Sequence, residues 1–394
     1  MAGRWIEFPG NGERSVPAYV AVPRDGAGPP VLLLPDAAGH NAHMRDMADL
    51  YAEEGYAVLM PDLPRAEAED TSAAVRTARA ALETLRALAA APGKTGVLGF
   101  GHGATLAYLL AGREDIACAV AYCPESLDPA ISPCCPTVFH VAEQDGLATE
   151  ETRARMRQLC ADHKHVRLYL YPGCGHEFHA PEAPEFDKPA TLMAHTRSLS
   201  LFREVLGPAY DLSTLWERHT ALEFASRDAE ATMTTMVAAP YVNHVPTMTG
   251  GVGHDELLRF YKHHFIPTTP ADARLVPISR TIGVDRLVDE FLFCFTHDIE
   301  IDWMLPGVPP TGRYVEIPMI AVVRFRGDKL HNEHIYWDQA SVLVQIGLLD
   351  PANLPVAGIE TARKLVDEFL PSNKLMRRWR ESEGRTPIKE AAPK

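Results

Sequence analysis

The first half of the chain repeats one pattern. Short, unbroken apolar runs, "PPVLLLPD", "YAVLMPD", "KTGVL", "ACAVAYCP", "PTVFHVAEQD" and "VRLYLYPG", are separated by helical patterns or loops. Unbroken runs of this length, without polar alternation, are strands buried on both faces. Between the first two runs, "HMRDMADLYAEEG" carries apolar residues at helical spacing and stops on a glycine. "TSAAVRTARAALETLRALAAA" is amphipathic and opens on a Thr/Ser cap. Repeated strand–helix order predicts an α/β, doubly wound, mostly parallel sheet, with ligand chemistry at the carboxyl ends of its strands.

After Pro208 the pattern changes. "LSTLWERHTALEFASRDAEATMTTMV" reads as one long helix and "HDELLRFYKHHF" as another, the latter a packed helix face. From Arg274 onward come "ARLVPISRTIGV", "RLVDEFLFCFTHDIEID" and "VEIPMIAVVRFRGDKLHNEHIYWD", the last folded at an "RGDK" hairpin turn. Helices followed by an antiparallel sheet predict a separate α+β domain. The expected organisation of the 394 residues is a first domain at 1–208, a second at 209–371 and a locally basic, solvated tail at 372–394.

Composition excludes some partners. A formal charge of −14 argues against a nucleic-acid partner, which would need clustered Lys and Arg. No apolar run is long enough for a membrane span, and "MAGRWIEFPGNGERS" has no apolar core for a signal peptide, which together predict a cytoplasmic protein. Seven cysteines, an odd count without C-x-x-C, read as reduced thiols, with Cys123, Cys134 and Cys135 as packed ones. Neither "HEFH" (His176 to His179) nor "HNEH" (His331 to His334) has the spacing of a metal motif. There is no phosphate-binding glycine loop either, so a cofactor-free, metal-free protein with a small-molecule substrate is expected.

The stretch after the third apolar run carries the chemistry. "GFGHGA", Gly99 to Ala104, sits between a strand and the helix-like "TLAYLLAG". This is the frame of a nucleophile elbow, Gly-x-Ser-x-Gly or its cysteine version. Its middle residue here is Gly101, which has no side chain. His102, one place further on, would open the helix and line the pocket or cap it.

Residues 1–205 resemble the dienelactone hydrolases, small α/β hydrolases, in "LLLPDAAGHNAHMRDMADLYAEEGYAVLMPDL", the elbow, "HVAEQD" and "YPGCGHEF". The resemblance implies an elbow cysteine nucleophile, a later Asp, a His in a late loop and an early acidic residue. These positions are Gly101, Asp145, His176 and Asp36, with aspartate where the family usually has glutamate. Asp145 and His176 follow strands of one sheet edge and should hydrogen-bond beside Gly101. A carboxylate behind an imidazole fixes its tautomer and stabilises its charged form. The pair could take a proton from a substrate or from water, and backbone N–H groups of His102 and the loop near Ala37 could hold an oxyanion.

The second domain, from about Leu215 to Leu370, resembles the SnoaL-like polyketide cyclases of the nuclear transport factor 2-like cone fold. The likeness is strongest in "EHIYWDQASVLVQIGLLDP", where Asp338 precedes Gln345 at the family spacing. It implies that Asp338 is a general acid/base inside the cone. Alternation puts Asn332, His334, Tyr336 and Asp338 on one strand face and Glu333, Ile335 and Trp337 on the other. The first set is expected to line the cone, with His244 and Asp302 near its mouth; the competing reading makes Asp338 a helix N-cap. The resemblance further implies a homodimer.

The sequence thus predicts an enzyme of hydrolase or cyclase/lyase type that is not a covalent serine or cysteine hydrolase. It would act on a small ester, lactone or polyketide-like molecule, with Asp338 and His334 and the His176–Asp145 pair carrying the chemistry. A hydrolase in which His176–Asp145 alone activates water, and a non-catalytic binding or scaffold protein, are the alternatives.

Overall fold

A computed structural model describes residues 3–10, 15–63, 72–88 and 94–385. The chain divides into two compact units, Met1–Tyr210 and Asp211–Lys394.

The first unit is built on an eight-stranded sheet of order β1-β2-β4-β3-β5-β6-β7-β8. Its strands are β1 (Arg4–Pro9), β2 (Ser15–Ala21), β3 (Pro30–Leu34), β4 (Ala57–Pro61), β5 (Gly96–Phe100), β6 (Cys118–Tyr122), β7 (Thr137–Ala142) and β8 (Val166–Tyr171). From β4 to β8 the neighbours are parallel, while β1 and β2 add an antiparallel edge. The apolar runs explain the centre: every residue of β3, β4, β5, β6 and β7 is buried. The helices are α1 (Ala42–Glu53), α2 (Ser72–Leu88), α3 (His102–Arg113), α4 (Glu150–Asp162) and α5 (Lys188–Val205). Asn41, Thr149 and Asp187 cap α1, α4 and α5 with their side chains, as short polar residues do at a helix start. The expected cap Thr71 and the end of the Ala-rich segment lie outside the described residues, as do the last nine residues of the tail.

The turn from β5 into α3 depends on two glycines. A Cβ on Gly103 would lie 2.1 Å from the Leu34 carbonyl oxygen, so only glycine lets α3 start this close to β3. Gly101 has φ +50° and ψ −115°, a conformation that strains residues with a side chain. Its N–H donates to the Tyr122 carbonyl at 2.8 Å.

The second unit has a six-stranded sheet of order β10-β9-β14-β13-β12-β11. It begins with α6 (Leu212–Thr220), a π-helical turn (Ala221–Ser226) and α7 (Ala229–Met233), then β9 (Met236–His244) and β10 (Thr249–Val252). Next come α8 (His254–Phe260) with a second π-turn (Tyr261–Phe265), then β11 (Arg274–Ile282), β12 (Arg286–Thr296), β13 (Tyr314–Arg326) and β14 (Lys329–Trp337), and finally α9 (Gln339–Gln345) and α10 (Glu360–Val366). All pairings are antiparallel except β14 with β9. The expected hairpin at "RGDK" is present, with Gly327 at φ +57°. The single long helix expected after Pro208 is not. Arg227 turns left-handed at φ +53° and Asp228 caps a new helix through the Ala231 N–H, so the chain breaks there and enters β9. Phe260, Tyr261 and Phe265 are buried, as a packed helix face requires.

Candidate functional site

In the first unit the carboxyl edge of the sheet collects the expected residues. Asp36 follows β3, Gly101 follows β5, Asp145 follows β7 and His176 follows β8. His176 Nδ1 lies 2.9 Å from Asp145 Oδ1, which also accepts from the N–H groups of Leu147 and Ala148. Burial works to raise the Asp145 carboxyl, but the His176 bond and the two N–H groups outweigh it and hold it below the ordinary range. Burial works to lower His176; the Asp145 carboxylate, with Glu125 and Glu177 further off, outweighs it and holds the imidazole above its ordinary value. The other ring nitrogen, Nε2, lies 3.3 Å from the point where a Cβ on Gly101 would stand. Asp36 Cβ is 3.5 Å and Glu125 Oε1 3.6 Å from the same point. Burial raises the Asp36 carboxyl, against the Ala38 N–H that it accepts. His102 opens α3, and its buried Nε2 has no hydrogen-bond partner among the described residues. The side chain that caps nothing leaves Gly101 itself at the N-cap position.

Sequence reasoning missed two residues here. Glu125, in the loop after β6, carries no motif. Cys123 was read only as a packed thiol; it is buried at φ +50°, and its sulfur lies within 4.8 Å of ligand atoms of Asp145 and His176. Burial pushes its thiol far up, so it stays protonated beside the Asp145 carboxylate. Cys135 is buried as expected, whereas Cys134 is exposed, because it lies in the loop before β7.

The second unit corrects the expected cone site. The strand alternation is right, but its inward face is the opposite one. Glu333, Ile335 and Trp337 are buried, His334 is half-buried against Tyr241, and Tyr336 is 42 % exposed. Asp338 is exposed and caps α9, accepting from the N–H groups of Ala340 and Ser341. It therefore does not enter the cavity, and neither do His334 and Tyr336. Burying the apolar Ile335 and Trp337 decides the phase, since a strand whose period is two can bury only one of its sets. Gln345 is also structural: its side-chain amide accepts from the Glu316 N–H and donates to the Glu316 carbonyl, both at 3.0 Å. Asp302 pairs with His264 Nδ1 at 2.7 Å, outside the cavity lining.

The cavity itself has about 480 Å³ of empty space, mouth included, and aromatic walls that include Phe224, Phe265, Phe293 and Trp303. Of the expected residues His244 alone lines it. Its ring stacks on Phe265, and burial drives it down to about 3, so it is a neutral imidazole. Two carboxylates that the sequence reading overlooked, Glu223 and Glu333, face the same space. Both lie 3.1 Å from His219 Nε2, and all three residues are buried. The available signal was "HTALE", which puts a His and a Glu four residues apart on one helix face.

The dienelactone hydrolase family model matches residues 16–206, and a SnoaL-like domain model matches residues 216–332. Carboxymethylenebutenolidase 1 of Cupriavidus pinatubonensis (strain JMP 134 / LMG 1197) is 27 % identical over 220 residues, covering 49 % of this chain and 93 % of that protein. Carboxymethylenebutenolidase of Pseudomonas sp. (strain P51) is 27 % identical over 215 residues, covering 48 % and 90 %. Among solved structures, esterase 2 of Thermogutta terrifontis, phosphorylated by paraoxon, aligns with a TM-score of 0.45 at 15 % identity, over 53 % of this chain and 96 % of that one. The exclusion of covalent serine or cysteine hydrolysis rested on Gly101 alone. It is overturned: the first unit matches a family of covalent hydrolases. Among the described residues no helix is long and apolar enough to cross a membrane. The chain joins a dienelactone hydrolase family domain, residues 16–206, to a SnoaL-like domain, residues 216–332.

Proposed function

We propose that the first unit hydrolyses a small ester or lactone in the space over Gly101, with His176 transferring the proton and Asp145 orienting it. One observation carries this reading: His176 Nδ1 is bound to Asp145 at 2.9 Å while Nε2 faces the vacant side-chain position of the elbow at 3.3 Å. The relatives named carboxymethylenebutenolidase supply the substrate class by likeness. In this reading His176 Nε2 takes a proton from the attacking group and returns it to the leaving oxygen. The N-terminal turn of α3 offers the His102 N–H, which has no acceptor within its helix, to the developing oxyanion. Gly101 supplies no nucleophilic atom, so the attacking atom comes from outside that position.

The test is hydrolysis of p-nitrophenyl acetate and of a five-membered enol lactone by the full chain and by His176→Ala. The reading expects the variant to lose about 10²–10⁴-fold in turnover. Wild-type turnover in the variant would refute it.

A further inference from the structure

The His219–Glu223–Glu333 group belongs to no part of the hydrolase chemistry above. Its geometry is specific. His219 Nδ1 lies 2.6 Å from Thr235 Oγ1, and the Thr235 hydroxyl spends its single proton on the Thr232 carbonyl, also at 2.6 Å. Thr235 can therefore only accept, and Nδ1 must carry a hydrogen. That leaves Nε2 as the nitrogen turned toward both carboxylates. Metal-binding histidines are held in this way, with the second ring nitrogen donating to a fixed acceptor behind them.

The spacing suits an ion. A first-row divalent metal bound at about 2.0–2.2 Å needs neighbouring donor atoms about 3.0–3.4 Å apart. Nε2 lies 3.1 Å from Glu223 Oε1 and 3.1 Å from Glu333 Oε1. Glu333 is 3 % exposed, and its Oε1 accepts no well-aligned hydrogen bond among the described residues. The charge also calls for a cation. Two carboxylates in an aromatic cavity carry a charge of −2, which a low-dielectric interior tolerates only when matched.

We propose that His219, Glu223 and Glu333 form a binding site for a divalent transition metal, Zn²⁺, Mn²⁺ or Fe²⁺, at the wall of the second unit's cavity. One neutral imidazole and two carboxylates neutralise such an ion and leave coordination positions open. Glu223 and Glu333 both line the cavity, so the open positions face its aromatic walls. The exchangeable ligand is then an oxygen of a small aromatic or apolar molecule. Of the two tracts singled out in the sequence, "HEFH" contributes no ligand, and "HNEH" contributes Glu333 but neither of its histidines.

The test uses the full-length protein, stripped with a chelator and titrated with CoCl₂, ZnCl₂ and MnCl₂. Co²⁺ reports its site by visible d–d absorption, calorimetry gives the stoichiometry, and a pH indicator reads proton release. Expected are one ion per chain and proton release on binding, since Nε2 must give up its hydrogen. His219→Gln and Glu333→Gln should each abolish the Co²⁺ spectrum. Thr235→Val removes only the acceptor behind Nδ1 and should weaken binding about 10–100-fold. This variant decides the matter should either ligand variant fail to fold, as judged by circular dichroism. His176→Ala should leave the titration unchanged. Absence of a Co²⁺ spectrum at millimolar metal overturns the proposal. So does binding that survives in Thr235→Val and the ligand variants, or that disappears in His176→Ala, which would move the ion to the Cys123–Asp145–His176 group.

Discussion

His176 Nδ1 lies 2.9 Å from Asp145 Oδ1, and that bond decides which ring nitrogen faces Gly101. An imidazole tied through Nδ1 presents Nε2 as its base in the neutral form. Asp145→Asn can still accept through its carbonyl oxygen but no longer stabilises the imidazolium. We expect a loss of about 10²–10⁴ in kcat for ester hydrolysis, with KM changing less.

The pH dependence follows from the same pair. Only neutral His176 acts as a base, so the rate should rise with pH. Its midpoint should lie above the ordinary histidine value, because Asp145 outweighs burial in holding the proton on. In Asp145→Asn burial is left to dominate and the midpoint should move down. Rate profiles of kcat/KM between about pH 5 and pH 9 measure both, since histidines titrate in this range. An unmoved midpoint would exclude His176 as the titrating group.

Gly101→Ser should place a hydroxyl within reach of His176 Nε2. The Cβ would stand 3.3 Å from that nitrogen, at φ +50°. The conformation costs about 1–3 kcal/mol in a residue with a side chain. We expect lower stability in urea unfolding together with a new fluorophosphonate adduct, mapped by peptide mass to position 101.

Asp338 gives the opposite expectation. Asparagine caps a helix about as well as aspartate, so Asp338→Asn should leave turnover and melting nearly unchanged. Asp338→Ala should cost about 1 kcal/mol of stability through lost capping. A large fall in turnover for Asp338→Asn, with folding intact, would return it to the catalytic residues.

Stability of the first unit should hinge on Glu54, which is 1 % exposed at the end of α1. Arg203 of α5 donates to its carboxylate at 2.8 Å and to its backbone carbonyl at 2.7 Å. Removing one partner of a buried pair leaves a poorly compensated charge, so Arg203→Ala should cost about 3–5 kcal/mol. Denaturant unfolding, with Arg203→Lys recovering part of the loss, checks this.

The sheet of the first unit was legible because burial on both faces writes unbroken apolar runs, and the edge of a parallel sheet gathers whatever follows its strands. That placed Asp36, Gly101, Asp145 and His176 together. Glu125 was not legible, because a loop residue gains its position from its neighbours in space and leaves no periodicity. In the second unit, alternation in "NEHIYWD" separated two faces correctly but could not say which faces inward. The polar set looked like a catalytic face, yet the free energy of burying Ile335 and Trp337 decided otherwise and took Glu333 inward with them. The cavity's carboxylates were hidden for that reason, and His219 because its partner Glu333 lies more than a hundred residues away in sequence.

The spacing from Asp338 to Gln345, which looked chemical, is mechanical. At Glu316 strand β13 pairs with β12 on one side, and its pairing with β14 begins only at Met319. Two backbone groups there would otherwise be open to any passing strand. The Gln345 amide closes both, and Asp338 fixes the helix that carries it. One side chain thus stands in for a missing strand and shields this stretch of sheet edge from self-association.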